Sequence, residues 1–143
     1  MSYKHILAAI DLSPNSKPVI KQARRFSAQT QATLDLVHVI EHSPVSYGGE
    51  FTIPVDVNLE HTIETQARES LDAFGKEFQI SPDRLHTYNG SVKQAVIELA
   101  EKLHIDLIII GTHGHHGLDR LLGSRANAIL HGAQCDVLAV RTG

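Results

Sequence analysis

Apolar residues alternate along this chain between two kinds of run. Short, nearly unbroken blocks at His5–Ile10 (HILAAI), Thr33–Ile40 (TLDLVHVI) and Ile105–Ile110 (IDLIII) read as strands covered on both faces. Between them, apolar positions recur every three or four residues. Val19, Ile20, Ala23 and Phe26 make one helical stripe, with Lys17, Lys21, Arg24 and Arg25 mostly outside it. Ile63, Ala67, Leu71, Phe74 and Phe78 make a second, in a long helix beginning near Leu59. Val92, Ala95, Val96, Leu99, Ala100 and Leu103 make a third.

The punctuation fits this reading. Ser13 is placed to cap the first helix, with Pro14 at its first position. Ser81-Pro82-Asp83 marks a turn, and Asn89-Gly90-Ser91 a turn that caps the third helix. Ser124–His131 predicts a fourth helix, ended by Gly132 as a C-terminal cap. Arg84–Tyr88 is a polar strand suited to a sheet edge. Asp136–Arg141 is a fifth strand, and Ile105–Ile110, the most apolar, is expected to be central. The order β-α-β-α-β-α-β-α-β predicts an α/β fold, a single domain over residues 1–143, with a parallel sheet and helices on both faces. Ligands in such folds sit beyond the carboxyl ends of the strands, where strand order reverses. Those ends are Asp11, Val39–Glu41 and Gly111–Gly114.

Composition changes this picture little. The chain has 143 residues, 42% of them hydrophobic and 20% charged, with net charge −3 and no basic block. That gives no electrostatic footprint for nucleic acid or an anionic membrane. No apolar run approaches the ~20 residues of a membrane span. The N-terminal run is too short for a signal peptide, and Asp11 ends it. Cys135 is the single cysteine, so no internal disulfide forms. A cytoplasmic location is expected.

The candidate chemistry lies in Leu107–Ser124 (LIIIGTHGHHGLDRLLGS). A strand opens through Gly111, Gly114 and Gly117 and reaches Gly123-Ser124 at a helix start. Glycines let backbone N–H groups approach an anion, and a helix start adds unpaired donors. A phosphate cradle and a tight structural turn both fit. GxxxxGK[ST] is absent, and the first strand-to-helix turn, DLSPNS, lacks GxGxxG. Asp11 is placed to accept ribose hydroxyls or hold a metal through water; local capping beside Ser13 is its other reading. His113, His115 and His116 lack a standard metal-ligand spacing, so no metal site is expected, and His113 suits a phosphate contact. His38 reads as a strand histidine with a local hydrogen bond. Arg120 and Arg125 flank the glycine–serine pair and suit an anion; Arg120 also reads as solvated surface. No nucleophile–base pair or carboxylate pair stands out, so no catalytic residue is assigned and a binding module is expected over an enzyme. Glu41–Asp56, with two prolines and Gly48-Gly49, reads as a lid, an interface segment or a plain crossover. The last strand, if at an edge, offers its backbone to a second copy.

The chain resembles the universal stress protein family from end to end. The residues that carry the resemblance are YKHILAAIDLS, LVHVIE, DVNL at Asp56–Leu59, VKQAVIELAEKLHIDLIIIGTHG and CDVLAVR. It implies a three-layer sandwich of the adenine nucleotide alpha hydrolase-like kind, with five parallel strands in the order 3-2-1-4-5. Homodimers are common in the family; here the C-terminal edge strand Asp136–Arg141 is the expected interface, a monomer with a short, shielded edge being the alternative. Nucleotide-binding members carry G-x2-G-x9-G-[ST]; here Gly111 and Gly114 fit, but eight residues precede Gly123-Ser124. The resemblance implies an ATP site with Asp11 on the ribose or on Mg²⁺, and Ala9 and Val39 at the adenine. Ile110, Gly111, His113, Gly114, Gly123, Ser124, Arg125 and Ala126 would surround the rest. The expected role is an ATP-binding stress-response regulator. A second branch, typified by universal stress protein A, lacks the glycine motif and implies a non-nucleotide protein acting through dimerisation and partner proteins. Slow ATP hydrolysis or self-phosphorylation, with Ser124 as acceptor, is a third reading. A flavin is disfavoured by aromatics at only 5%.

Overall fold

The structure, a computed structural model, describes residues 3–41, 57–112 and 123–142. Five strands alternate with four helices: β1 (His5–Ala9), α1 (Ser16–Thr30), β2 (Thr33–Ile40), α2 (Val57–Glu77), β3 (Leu85–Asn89), α3 (Val92–Lys102), β4 (Leu107–Gly111), α4 (Ser124–Gly132) and β5 (Asp136–Val140). The sheet order is β3-β2-β1-β4-β5, and every pairing is parallel. The 3-2-1-4-5 order expected from the resemblance is therefore observed. The middle position belongs to β1, with β4 beside it, so the most apolar strand is interior rather than central.

Alternation along each strand builds two cores. Ile6, Ala8, Leu34, Leu36 and Ile109 face α1 and α2, where Val19, Ile20, Ala23 and Leu71 meet them. Leu7, Val37, Ile108 and Ile110 face α3 and α4, meeting Val96, Leu99, Ala126 and Ile129. A side-chain period of two sends neighbouring residues to opposite faces, and helices cover both. The three apolar stripes read from the sequence pack as expected, except at the start of α2. Leu59 and Ile63 there are 57% and 40% exposed.

Three boundaries move for physical reasons. The first helix begins at Ser16, with Asn15 as N-cap, not at Pro14. Asp11 and Ser13 hold the preceding turn instead. Gly132 does not end α4 in a left-handed conformation; it is the last helical residue, and Ala133 follows in extended backbone. A Cβ there would lie 2.6 Å from Ile97 Cδ1, the end of a half-buried side chain on α3. Pro82–Arg84 forms a 3₁₀ turn, so the edge strand starts at Leu85. Ser91 does cap α3, accepting from Gln94 N–H.

Candidate functional site: a cavity at the carboxyl rim of the sheet

From β1 the chain proceeds outward on one side through β2 to β3, and on the other through β4 to β5. The carboxyl ends of β1, β2 and β4 therefore flank a crevice, the place where ligands enter open parallel sheets. A cavity of about 480 Å³ lies there. That is within the usual range for a small-molecule site. Register fixes its floor: Ala9 of β1 stands beside Val37 of β2 and Ile110 of β4. Val39, Val92, Ala126 and Ile129 add apolar wall, while Asp11, Ser16, Thr112, Ser124 and Arg125 add polar groups.

Asp11 is held by the turn that follows β1. Its Oδ1 accepts from Ser13 N–H at 2.9 Å, Ser13 hydroxyl at 2.6 Å and Ser16 hydroxyl at 3.0 Å. Leu12 adopts a left-handed φ of 66° to make this turn. A bulky residue there costs energy of order 1 kcal/mol and persists when its surroundings hold it. Leu12 packs on the α1-side core, which supplies that hold. Asp11 thus holds the turn ahead of α1 rather than capping the helix, whose N-cap is Asn15 with no side-chain cap bond. The same contacts fix the carboxylate on the cavity wall.

On the other side, Gly123 N–H donates to Thr112 carbonyl at 2.8 Å, joining the end of β4 to the start of α4. Thr142, 3% exposed, donates its N–H to Thr112 Oγ1. At Gly111 a Cβ would lie 3.3 Å from both Thr142 Cγ2 and Val19 Cγ2. The first turn of α4 contains no acidic residue. Arg125 there reaches over to Glu41, with Nε 2.6 Å from Oε1.

His38 does make a local bond, its Nδ1 to Ile10 carbonyl at 2.9 Å. Because a carbonyl only accepts, Nδ1 carries a proton in this contact. Among the described residues no three His, Cys, Asp or Glu side chains gather as a metal site. Cys135 is half-buried, and burial, followed by the nearby Asp136 and Asp106 carboxylates, pushes its thiol up. It lies outside the cavity lining.

Nine of the eleven residues singled out from the sequence line this cavity: Ala9, Asp11, Val39, Ile110, Gly111, Gly123, Ser124, Arg125 and Ala126. His113 and Gly114 lie outside the described residues, as do His115, His116, Gly117, Arg120 and most of Glu41–Asp56. Sequence reasoning missed Thr142, Asn15 and Ser16 as lining residues, and placed Glu41 and Thr112 on the rim without giving either a role. The carboxyl-rim rule, applied to β5, reaches Thr142, which lies two residues beyond the end of that strand.

Residues 2–141 match the family model described as the universal stress protein family. This chain belongs to the universal stress protein family. Universal stress protein A homolog 1 of Coxiella burnetii is 66% identical over 140 residues, 98% of this chain and 97% of its own. Among solved universal stress proteins, one from Lactobacillus plantarum superposes with a TM-score of 0.79 at 23% identity over 99% of both chains. One from Pseudomonas aeruginosa, at 25% identity and TM-score 0.75, matches 99% of this chain but 48% of its own, so this chain spans about half its length. Another, solved in complex with cAMP, has a TM-score of 0.67 at 22% identity over 100% of both chains. No helix of the described universal stress protein fold is long and apolar enough to cross a membrane.

Proposed function

We propose that this universal stress protein binds an adenine nucleotide, ATP in the first instance, in the rim cavity, and acts as a cytoplasmic stress-response regulator. The observation that carries this is the convergence of apolar wall and anion-suited groups on one cavity: Ala9, Val39 and Ile110 on one part, Ser124, Arg125 and the start of α4 on the other. An apolar slot suits a base, and a helix start with a guanidinium suits phosphate. Asp11 at the end of β1 suits a ribose hydroxyl or the water shell of Mg²⁺. The related protein solved with cAMP supports an adenine nucleotide as the ligand class.

The protein is proposed to work as a homodimer through β5, whose Ala139 is exposed at the sheet edge. It is proposed as a binding module without a catalytic residue. Titration calorimetry with ATP, AMP and adenosine, with and without Mg²⁺, tests the reading. Micromolar to submillimolar binding of ATP is expected. Absence of heat with all three ligands would sink it.

A second reading, a protein that acts through partners without nucleotide, is supported by Leu59 on α2, which is 57% exposed and does not line the cavity. Replacing Leu59 with serine would abolish function under that reading and leave nucleotide affinity intact under the first.

A further inference from the structure

The start of α4 departs from the usual pattern of a helix N-terminus. Its N-cap is Gly123, which makes no side-chain cap, and its first turn carries no acidic residue. Arg125 stands there instead. That turn is the positive end of the helix dipole, where carboxylates are stabilising and cations are not. Local rules broken beside a cavity mark functional positions. What offsets Arg125 comes from the opposite lip. Glu41, following β2, places its Oε1 2.6 Å from Arg125 Nε and 2.5 Å from an Nη. The pair spans the crevice between the β2 side and the α4 side, and both residues line the cavity.

The match between them is incomplete. A guanidinium is best met by two oxygens on two parallel N–H bonds. Glu41 offers the same oxygen to both. A phosphate group offers two, carries more charge than a carboxylate, and suits the dipole of α4. The side chains of Arg125 and Glu41 are 58% and 38% exposed, so the bridge is a weak one that a better anion can displace. We infer that Glu41 is a built-in competitor for the ligand's phosphate on Arg125. The pair holds Arg125 in the free protein and is displaced by a ligand's phosphate, so Glu41 lowers the affinity of phosphorylated ligands and leaves that of the bare nucleoside untouched. This rests on the nucleotide reading above and adds to it a residue that sets how tightly the phosphate is held.

Calorimetry on the wild type, Glu41→Gln, Arg125→Gln and the double variant tests it. In Glu41→Gln, ATP and AMP should bind about two- to five-fold tighter, the range an exposed ion pair allows, and adenosine should be unchanged. In Arg125→Gln, ATP and AMP should weaken by about tenfold, and adding Glu41→Gln should restore little. Equal gains for adenosine, or none for ATP and AMP, overturn the competition. If none of the three ligands binds any form, the nucleotide reading itself falls. The exchange is then read separately from the Arg125 Nε–H resonance during a titration with pyrophosphate. Its midpoint should fall at least about twofold in Glu41→Gln; equal midpoints overturn the proposal.

Discussion

Asp35 Oδ2 lies 2.7 Å from His86 Nε2, across the pairing of β2 with the edge strand β3. Asp35 is buried at 6% exposure, and its second oxygen takes Arg84 Nη1 at 3.1 Å. The polar break in the second strand and the polarity of the edge strand are therefore one feature. Replacing Asp35 with Ala strands two donors and should cost about 2 kcal/mol, in the range for hydrogen bonds to charged groups. Urea unfolding measures it, and a change under about 0.5 kcal/mol, normal for a surface site, would contradict the assignment.

Gly75→Ala sets two effects against each other. Alanine gains about 1 kcal/mol of helix propensity in α2. Its Cβ, however, would lie 2.6 Å from Leu85 Cδ1 and 3.2 Å from the Ile80 carbonyl. Leu85 is 4% exposed and the carbonyl is backbone, so relief is limited. Overpacking costs about 1–3 kcal/mol, and a net loss of about 1 kcal/mol is expected. A raised melting temperature would show that Leu85 gives way.

The Cys135 thiol should resist alkylation. Burial and neighbouring carboxylates raise its pKa in the folded state. A raised value means stability that is present below the unfolded thiol pKa and lost as pH climbs through the folded one. Iodoacetamide at pH 8.5 should react several-fold more slowly with native protein than with protein in urea. Equal rates would remove the shift.

Ser124 is exposed at the start of α4 and lines the cavity. Ser124→Ala should weaken ATP by about 3- to 10-fold, the loss of one hydrogen bond, without moving adenosine or the melting temperature. Incubating wild type with labelled ATP distinguishes ligand contact from phosphate acceptor. Label on Ser124 would favour the self-phosphorylation reading.

Ala139→Arg places a charge on the free edge of the sheet. Sedimentation should show a dimer for the wild type and a monomer for the variant at similar stability. A monomeric wild type would remove the dimer.

Much of this fold was legible because helix and strand periods are clean. Val96, Leu99 and Ala100 recur at helical spacing and do pack on one face. Of the nine site positions, Asp11, Val39, Gly111, Gly123, Ser124 and Arg125 were suggested by strand ends and the glycine loop, which are local signals, while Ala9, Ile110 and Ala126 came only from the family resemblance. The Asp35–Arg84–His86 cluster was not legible, because its partners are brought together only by β2–β3 register. Glu41 stayed unassigned for the same reason: its partner Arg125 is 84 residues away. Gly132 misled because a glycine after an apolar run signals a cap, whereas here it stays inside the helix and Ala133 follows in extended backbone.

The bond from Gly123 N–H to the Thr112 carbonyl ties the start of α4 directly to the end of β4. Thr112 is tied to β5 as well, its own N–H donating to the Val140 carbonyl. Ser124 and Arg125 therefore take their places on the cavity wall from the sheet, and a change that loosens the edge strand β5 would be felt at the start of that helix.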